Sequence, residues 1–312
     1  MKTVPKISII ITYYNQKEEI NIVLSSINNQ GNGIKRECEI IIVDDGSDLK
    51  IDGNLLKEFY ELNIKIITNS RNKGRAAARN KGALYARGNI LIFVDGDRFL
   101  APDFIEHHYR FHKMHNEPSV LVGNIAEVYC KDLNFLNKNI PDMFYNYKNI
   151  IRKYIYSYNY AYQVLKIYND KGEAKCDFPW ITLFSGNFSI RKENFWIDKG
   201  FDEGFVHWGY ENIDFGYRLH GKGISFFHDK YALNFHIYHA QARGTIDGSN
   251  WIRNKYKDQK VIEKYFNYVE GLIPLNKIGK CENKVNLEKE YYEAKKMGPR
   301  FELPIYEKER KK

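Results

Sequence analysis

Cysteine is scarce in this chain of 312 residues: Cys38, Cys130, Cys176 and Cys281 lie far apart, and none forms a Cys-x-x-Cys step. Such spacing argues against a zinc site or a disulfide framework and leaves free thiols as the expectation. Long apolar runs are missing too. The longest, such as Ile7 to Ile11 and Ile90 to Val94, fall far short of the roughly 20 residues that span a bilayer. The N-terminus shows no signal-peptide pattern, so the expected location is the cytoplasm. No internal repeat and no recognition motif of the common nucleic-acid modules is present. The net charge of +9 favours polyanionic partners, but the basic residues are not gathered into one helix or arm. No nucleic acid is expected, therefore; anionic nucleotide ligands or peripheral contact with an acidic membrane surface explain the excess. Nothing in the pattern sets an oligomeric state.

Aromatic residues are plentiful instead. They make up 15% of the chain against 43% hydrophobic residues overall, at a mean hydropathy of −0.56. That balance describes a soluble globular protein with many amphipathic aromatics, and the length suffices for one large α/β domain with insertions or for one domain and a smaller appendage.

The first hundred residues alternate apolar strand runs with helical segments, the signature of a mostly parallel sheet with right-handed crossovers flanked by helices. Strands are predicted at Lys6 to Thr12, Cys38 to Val43, Ile64 to Thr68 and Asn89 to Val94. Between the first two, Asn15 and Glu18 resemble a capping box ahead of Ile20, Val23, Leu24 and Ile27 at helical spacing. Gly74 to Ala86 is alanine-rich and stops before Gly88, which fits a tightly packed helix. From about 130 to 176 the texture changes to tyrosines interleaved with Asn and Lys, an apparent insertion. Tyr154 to Tyr162 alternate by twos as in a strand, while Ile151, Ile155, Tyr158, Tyr162 and Leu165 also satisfy a helix; helix is preferred. These tyrosines cover core surface or offer stacking faces to a sugar. From Cys281 onwards the sequence reads as a charged, solvated tail.

Three clusters carry the chemistry. Asp95-Gly96-Asp97 follows the strand run Ile90 to Val94; residues i and i+2 of an extended segment share a face, so both carboxylates can enter one crevice at the carboxyl end of the sheet and hold a divalent ion. Val43-Asp44-Asp45-Gly46-Ser47 ends the second strand, where an acid can accept hydrogen bonds from a base or ribose. Asn72, Gly74, Ala78, Arg79, Asn80 and Gly82 form a small-residue helix able to lie close to a nucleotide, with Arg79 able to approach a phosphate.

Taken together, Ile-Ile-Ile-Thr-Tyr-Tyr-Asn, Val-Asp-Asp-Gly-Ser, Asn-x-Gly with Ala-Arg-Asn-x-Gly, and Val-Asp-Gly-Asp resemble the family 2 glycosyltransferases of GT-A fold over residues 7 to 100. Gly186-Asn187, Gly200-Phe201-Asp202-Glu203 and the run His207 to Leu219 extend the likeness to about 255 and resemble the acceptor-side half of galactosyl- and N-acetylgalactosaminyltransferases. The resemblance implies a GT-A domain over 1–270, with a nucleotide-binding half (1–100), an insertion (130–176), an acceptor and catalytic half (177–255) and a charged extension (271–312). It implies transfer of a hexose or N-acetylhexosamine from a nucleotide sugar, most simply a UDP-sugar, to a glycan, peptide, lipid-linked or small-molecule acceptor.

The resemblance also implies roles for individual residues. Thr12, Tyr14, Asp44, Asp45 and Arg79 contact the donor nucleotide; Asp95 meets its ribose or the metal, and Asp97 the metal. Gly186, Asn187 and Trp208 adjoin the donor sugar. A downstream histidine often adds a metal ligand, and His239 is preferred over His228 and His236; Mn²⁺ or Mg²⁺ suits such a site. Arg243 and Lys255 are candidates to close over the diphosphate. One departure matters: Asn212 stands where related enzymes often carry the Asp that deprotonates the acceptor, and an amide cannot take a proton at neutral pH. Glu211, or Asp214 one helical turn on, takes that role here, although Asp214 is also spaced to pair with Arg218. Trp-Gly-x-Glu-Asn is likewise similar to retaining N-acetylgalactosaminyltransferases, whereas the N-terminal half favours inversion. A carbohydrate-binding protein that kept the fold without catalysis is the alternative.

Overall fold

The computed structural model describes residues 4–51, 53–130, 132–139, 155–157, 159–207, 209–239 and 248–282. The elements run β1 (Ile7–Tyr13), α1 (Glu19–Asn28), α2 (Asn32–Lys35), β2 (Cys38–Asp44), α3 (Gly53–Glu58), β3 (Ile64–Thr68), α4 (Arg75–Tyr85), β4 (Ile90–Asp95), β5 (Arg98–Leu100), α5 (Phe104–Met114) and β6 (Ser119–Val128). They continue with α6 (133–139), β7 (Ile155–Ser157), α7 (Asn159–Val164), β8 (Asn187–Arg191), α8 (Lys192–Phe195), α9 (Glu211–Gly221), β9 (Ser225–Ile237), α10 (Ser249–Lys255) and α11 (Lys260–Val269).

The nine strands among the described residues join one mixed sheet in the order β3-β2-β1-β4-β8-β6-β9-β5, with β7 paired to β6. The half predicted from the sequence, β1 to β4, is parallel throughout. Its strands β1 and β2 are buried along their whole length, which is why they read as continuous apolar runs rather than alternating ones. Residues 7, 9 and 11 of β1 face a core shared with Val23 and Leu24 of α1 and Phe104 of α5. Ile10 faces the opposite core, where the alanines of α4 meet Phe93, Phe188, Phe195, Phe201 and Phe215. Beyond β4 the direction reverses: β8 is antiparallel to β4 and β6, while β9 runs parallel to β6 and antiparallel to β5.

Several local expectations change. Asn15 does not cap α1, which begins at Glu19 with no side-chain cap. It adopts φ +55°, and its Oδ1 accepts hydrogen bonds from the Asp48 and Leu49 amides, tying the β1–α1 loop to the loop after β2. The ambiguous tyrosine segment holds a short strand β7 and then α7; Tyr145, Tyr147, Ile151, Tyr154 and Tyr158 lie outside the described residues. The start of the charged extension packs on the body, with Leu275 and Ile278 buried; residues 283–312 lie outside the description. Among the described residues no helix is long and apolar enough to cross a membrane.

Candidate active site

A crevice of about 520 Å³ opens at the carboxyl ends of β1, β2 and β4, lined by Thr12 to Gln16, Asp45, Gly74, Arg75, Asp95, Asp97, His207 and His239. This is where strand order reverses about β1, the switch point at which open α/β sheets bind ligands. Its floor is built by close backbone approach. At Gly96 a Cβ would stand 2.7 Å from Gln16 Oε1 and 2.8 Å from the Thr12 carbonyl, so only glycine lets the acidic turn lie against β1. At Gly46, with φ +78°, a Cβ would meet the Arg71 backbone at 2.3 Å.

The two aspartates of the turn do different things. Asp97 is 3% exposed, and its Oδ2 lies 3.2 Å from His239 Nε2, 3.6 Å from His236 Nε2 and 2.6 Å from the Gln16 amide nitrogen. Its Oδ1 is buried with no hydrogen-bond partner. Burial works to raise this carboxyl, but hydrogen bonds with His236 and His239 hold it well below the usual carboxylate range. His236 Nδ1 bonds Glu127 Oε2 at 2.7 Å, which turns Nε2 towards Asp97 in the manner of a carboxylate-oriented ligand histidine. Burial and Arg98 act to lower His236, and its carboxylate contacts prevail to raise it. One atom each from Asp97, His236 and His239 lie within 4.8 Å of one another. Both histidines of the pair thus stand at the acidic turn, where the sequence reading preferred His239; His228 sits near the other end of β9 on a separate 440 Å³ cavity.

Asp95 belongs to an ion-pair chain. Arg79, 1% exposed, joins Asp95 Oδ1 (2.7 Å) to Glu211 Oε1 (2.8 Å), and Arg98 Nε reaches Asp95 Oδ2 at 3.3 Å. Burial raises the Asp95 carboxyl, yet Arg79 and Arg98 bring it down to about 2. Arg79 therefore lies beneath the crevice between two carboxylates, and Asp95 has both oxygens engaged by cations.

Behind this chain lies a second cavity of about 600 Å³, lined by Arg75, Asp95, Arg98, Tyr160, Phe184, Gly186, Tyr210, Glu211, Asn212, Tyr265 and Tyr268 among others. Arg75 and Asp95 line both cavities. Glu211 opens α9 at the rear cavity. Its Oε1 also accepts from Ser185 Oγ at 3.4 Å. Asn212 donates to the Leu183 carbonyl at 2.6 Å.

Other sequence-predicted residues have different surroundings. Asp45 lines the crevice while accepting from Asn69 Nδ2 and the Lys73 and Gly74 amides; Asp44, beneath it, accepts from the Ser47 amide and pairs with Lys50 at 3.5 Å. Thr12 Oγ1 bonds Asp95 at 3.3 Å, and Tyr14 stands exposed on the rim. Gly186 leaves room for Asp95, whose Oδ2 would lie 2.4 Å from an added Cβ. Asn187 is wholly buried: its Nδ2 donates to the Asn124 and Ala232 carbonyls, and its Oδ1 bonds His108 Nε2. Its amide is therefore committed to the sheet interior rather than to a ligand. Asp214 is likewise fully buried, held by Arg218, Lys255 and Tyr256, so it lies under the site. Lys255 spends its charge on Asp202 and Asp214. Trp208 and Arg243 lie outside the described residues. Gln16, Arg75, Arg98 and Glu127 were not singled out from the sequence; Glu127 and His236 are brought together only by the β6–β9 pairing.

A GT-A-like sheet with an acidic, histidine-bearing crevice at its switch point defines a glycosyltransferase. The chain belongs to glycosyl transferase family 2, whose model matches residues 8–196; a second model, the N-terminal domain of galactosyltransferase, matches residues 167–240. Its sequence is 28% identical over 283 residues to the uncharacterised glycosyltransferase YfnE of Bacillus subtilis, covering 78% of this chain and 67% of that protein. It is 30% identical over 235 residues to a chondroitin synthase of Pasteurella multocida, covering 70% of this chain but only 23% of that longer protein. In structure it is similar to S. aureus TarS 1–349, with a TM-score of 0.55, 20% identity and coverage of 74% of this chain and 60% of TarS 1–349.

Proposed function

We propose that this glycosyltransferase moves a hexose or N-acetylhexosamine from a UDP-sugar to an acceptor hydroxyl with inversion, aided by a divalent ion. The observation that carries this reading is Asp97 with His236 and His239 at the front crevice, joined through Asp95 and Arg79 to Glu211 in the rear cavity. A TarS structure in complex with UDP, of similar fold to this chain at a TM-score of 0.53, supports the choice of nucleotide.

The residues suit a metal. Asp97 Oδ1 is a buried carboxylate oxygen lacking a partner, and two imidazoles face the same carboxylate. Asp97, His236 and His239 would hold Mn²⁺ or Mg²⁺, with the imidazoles favouring Mn²⁺. Such an ion supplies positive charge opposite the departing diphosphate. Asp95, already saturated by two arginines, positions rather than ligates. Donor in front and acceptor behind meet at Arg75 and Asp95, an arrangement suited to attack from the face opposite the leaving group. There the acceptor oxygen attacks the anomeric carbon, the bond to UDP breaks, and Glu211 receives the acceptor proton. Arg79 and Ser185 both engage Oε1, which leaves Oε2 for that proton. Tyrosine and phenylalanine faces in the rear cavity suit a sugar ring as acceptor.

UDP release in the presence of Mn²⁺ tests the reading. Asp97→Ala should lose Mn²⁺ binding by calorimetry and fall at least about 100-fold in turnover, the scale of losing an electrostatic element of a transition state. Glu211→Gln should bind UDP yet fail to transfer. Full activity in either variant excludes its role, and proton NMR of the first-formed product decides the anomeric outcome.

A further inference from the structure

Cys176 and Cys281, which sequence spacing left as unrelated thiols, face each other across an isolated antiparallel bridge. The bridging hydrogen bonds run through their neighbours: the Asp177 amide to the Lys280 carbonyl at 3.1 Å and the Glu282 amide to the Lys175 carbonyl at 2.8 Å. The cysteines therefore form a non-hydrogen-bonded pair, the register with the closer backbone approach, about 4.5 Å between Cα atoms. That separation falls at the lower end of the roughly 4.4–6.8 Å range of disulfides. Both cysteines are reduced and half-buried.

The pairing is anchored on both sides. Leu275 and Ile278 are sunk into the core, and Gly279 fits so closely against Asp177 that a Cβ would stand 1.9 Å from its Oδ1. The partner stretch leads directly into Phe178 and Trp180, both fully buried.

We propose that Cys176 and Cys281 are an oxidation site, closing to a disulfide that staples the 271–282 segment to the body of the enzyme. A disulfide oxidant such as glutathione disulfide accepts the two electrons. One thiolate attacks it, forming a mixed disulfide and releasing glutathione. The second thiolate then displaces the remaining glutathione, and the two protons lost by the cysteines are taken up by the two departing glutathione thiolates. Closure fixes the chain just beyond Tyr268 and Gly271, which line the rear cavity. The hydrogen bond between the thiols, then burial, pushes the Cys176 thiol up. Uncatalysed closure is consequently slow at neutral pH and quickens as pH rises.

Peptide mapping of the full chain after equilibration with glutathione disulfide tests this directly, without any need for glycosyl transfer. The expected product is a Cys176–Cys281 linked peptide lighter by two hydrogens, with a melting temperature raised by about 5 °C, the scale of a disulfide closing a long loop in a chain of this size. Dithiothreitol should reverse both, and Cys176→Ser and Cys281→Ser should show neither. Glutathione adducts on these cysteines with no linked peptide would overturn the proposal, as would linkage with an unchanged melting temperature.

Discussion

At the scale of single residues, Arg79 decides how the two cavities communicate. It is a fully buried cation shared by two carboxylates, one from β4 and one from α9, and it packs over the Phe201 ring at 5.4 Å. Removing such a partner strands two buried charges, so Arg79→Met should destabilise the fold by about 3–5 kcal/mol. Arg79→Lys separates structure from function more cleanly. Lysine keeps the charge but is a point donor without the planar fork, so it cannot hold Asp95 and Glu211 at once. We expect a folded Arg79→Lys enzyme whose kcat falls about 10- to 100-fold, in line with the cost of misplacing a catalytic group by an ångström, while KM for the donor changes little. An unchanged kcat would show that Glu211 needs no support from Arg79.

At the scale of elements, α4 carries the front of the site, because Arg75 and Ala78 come from its first turn and Gly74 immediately precedes it. How closely it lies on the sheet is set by Gly82, where a Cβ would stand 2.4 Å from Ile10 Cγ2 and 3.3 Å from Val43 Cγ2. Helix propensity alone would make Gly82→Ala stabilising by about 1 kcal/mol. Overpacking against two buried strands costs about 1–3 kcal/mol and should win. Urea denaturation should thus show a lower midpoint for Gly82→Ala, with donor KM raised as the helix start is displaced; a higher midpoint would refute the tight packing of α4 on β1.

At the scale of the whole molecule, the parallel half was legible and the other half was not, for a physical reason. Strands β1 to β4 alternate locally with their helices, and β1, β2 and β4 are buried on both faces while the edge strand β3 is only partly buried, so apolar runs and glycine stops mark them. By contrast, β6, β8 and β9 pair across long stretches of chain, and the Asp97–His239 contact spans 142 residues. Acidic motifs marked the candidate crevice, while the difference between Asp95 and Asp97 emerged only with the arginines and histidines that fold around them. The same long-range half gives the molecule its response to pH. His112 Nε2 bonds Ser189 Oγ, which bonds His108 Nδ1, and His108 Nε2 bonds Asn187. The order is fixed from the Asn187 end: its Nδ2 donates to carbonyls, so His108 donates from Nε2 and Ser189 gives its proton to Nδ1, both rings neutral. Burial pushes His108 and His112 down to about 3, against about 6.5 when unfolded. With the folded values depressed, the unfolded chain binds more protons; stability is complete above about pH 6.5 and is lost as pH falls towards 3, at up to about 2.7 kcal/mol per pH unit for two such groups. His107 has the opposite sign. Its hydrogen bond to Asp229 raises it despite partial burial, so its contribution is complete below about 6.5 and fades as pH rises through the folded value. Stability should therefore peak near neutrality, with the acid side much the steeper. Urea midpoints measured from pH 7.5 down to 5 should fall steadily below 6.5, and a flat profile there would mean that the two histidines are not held neutral in the core.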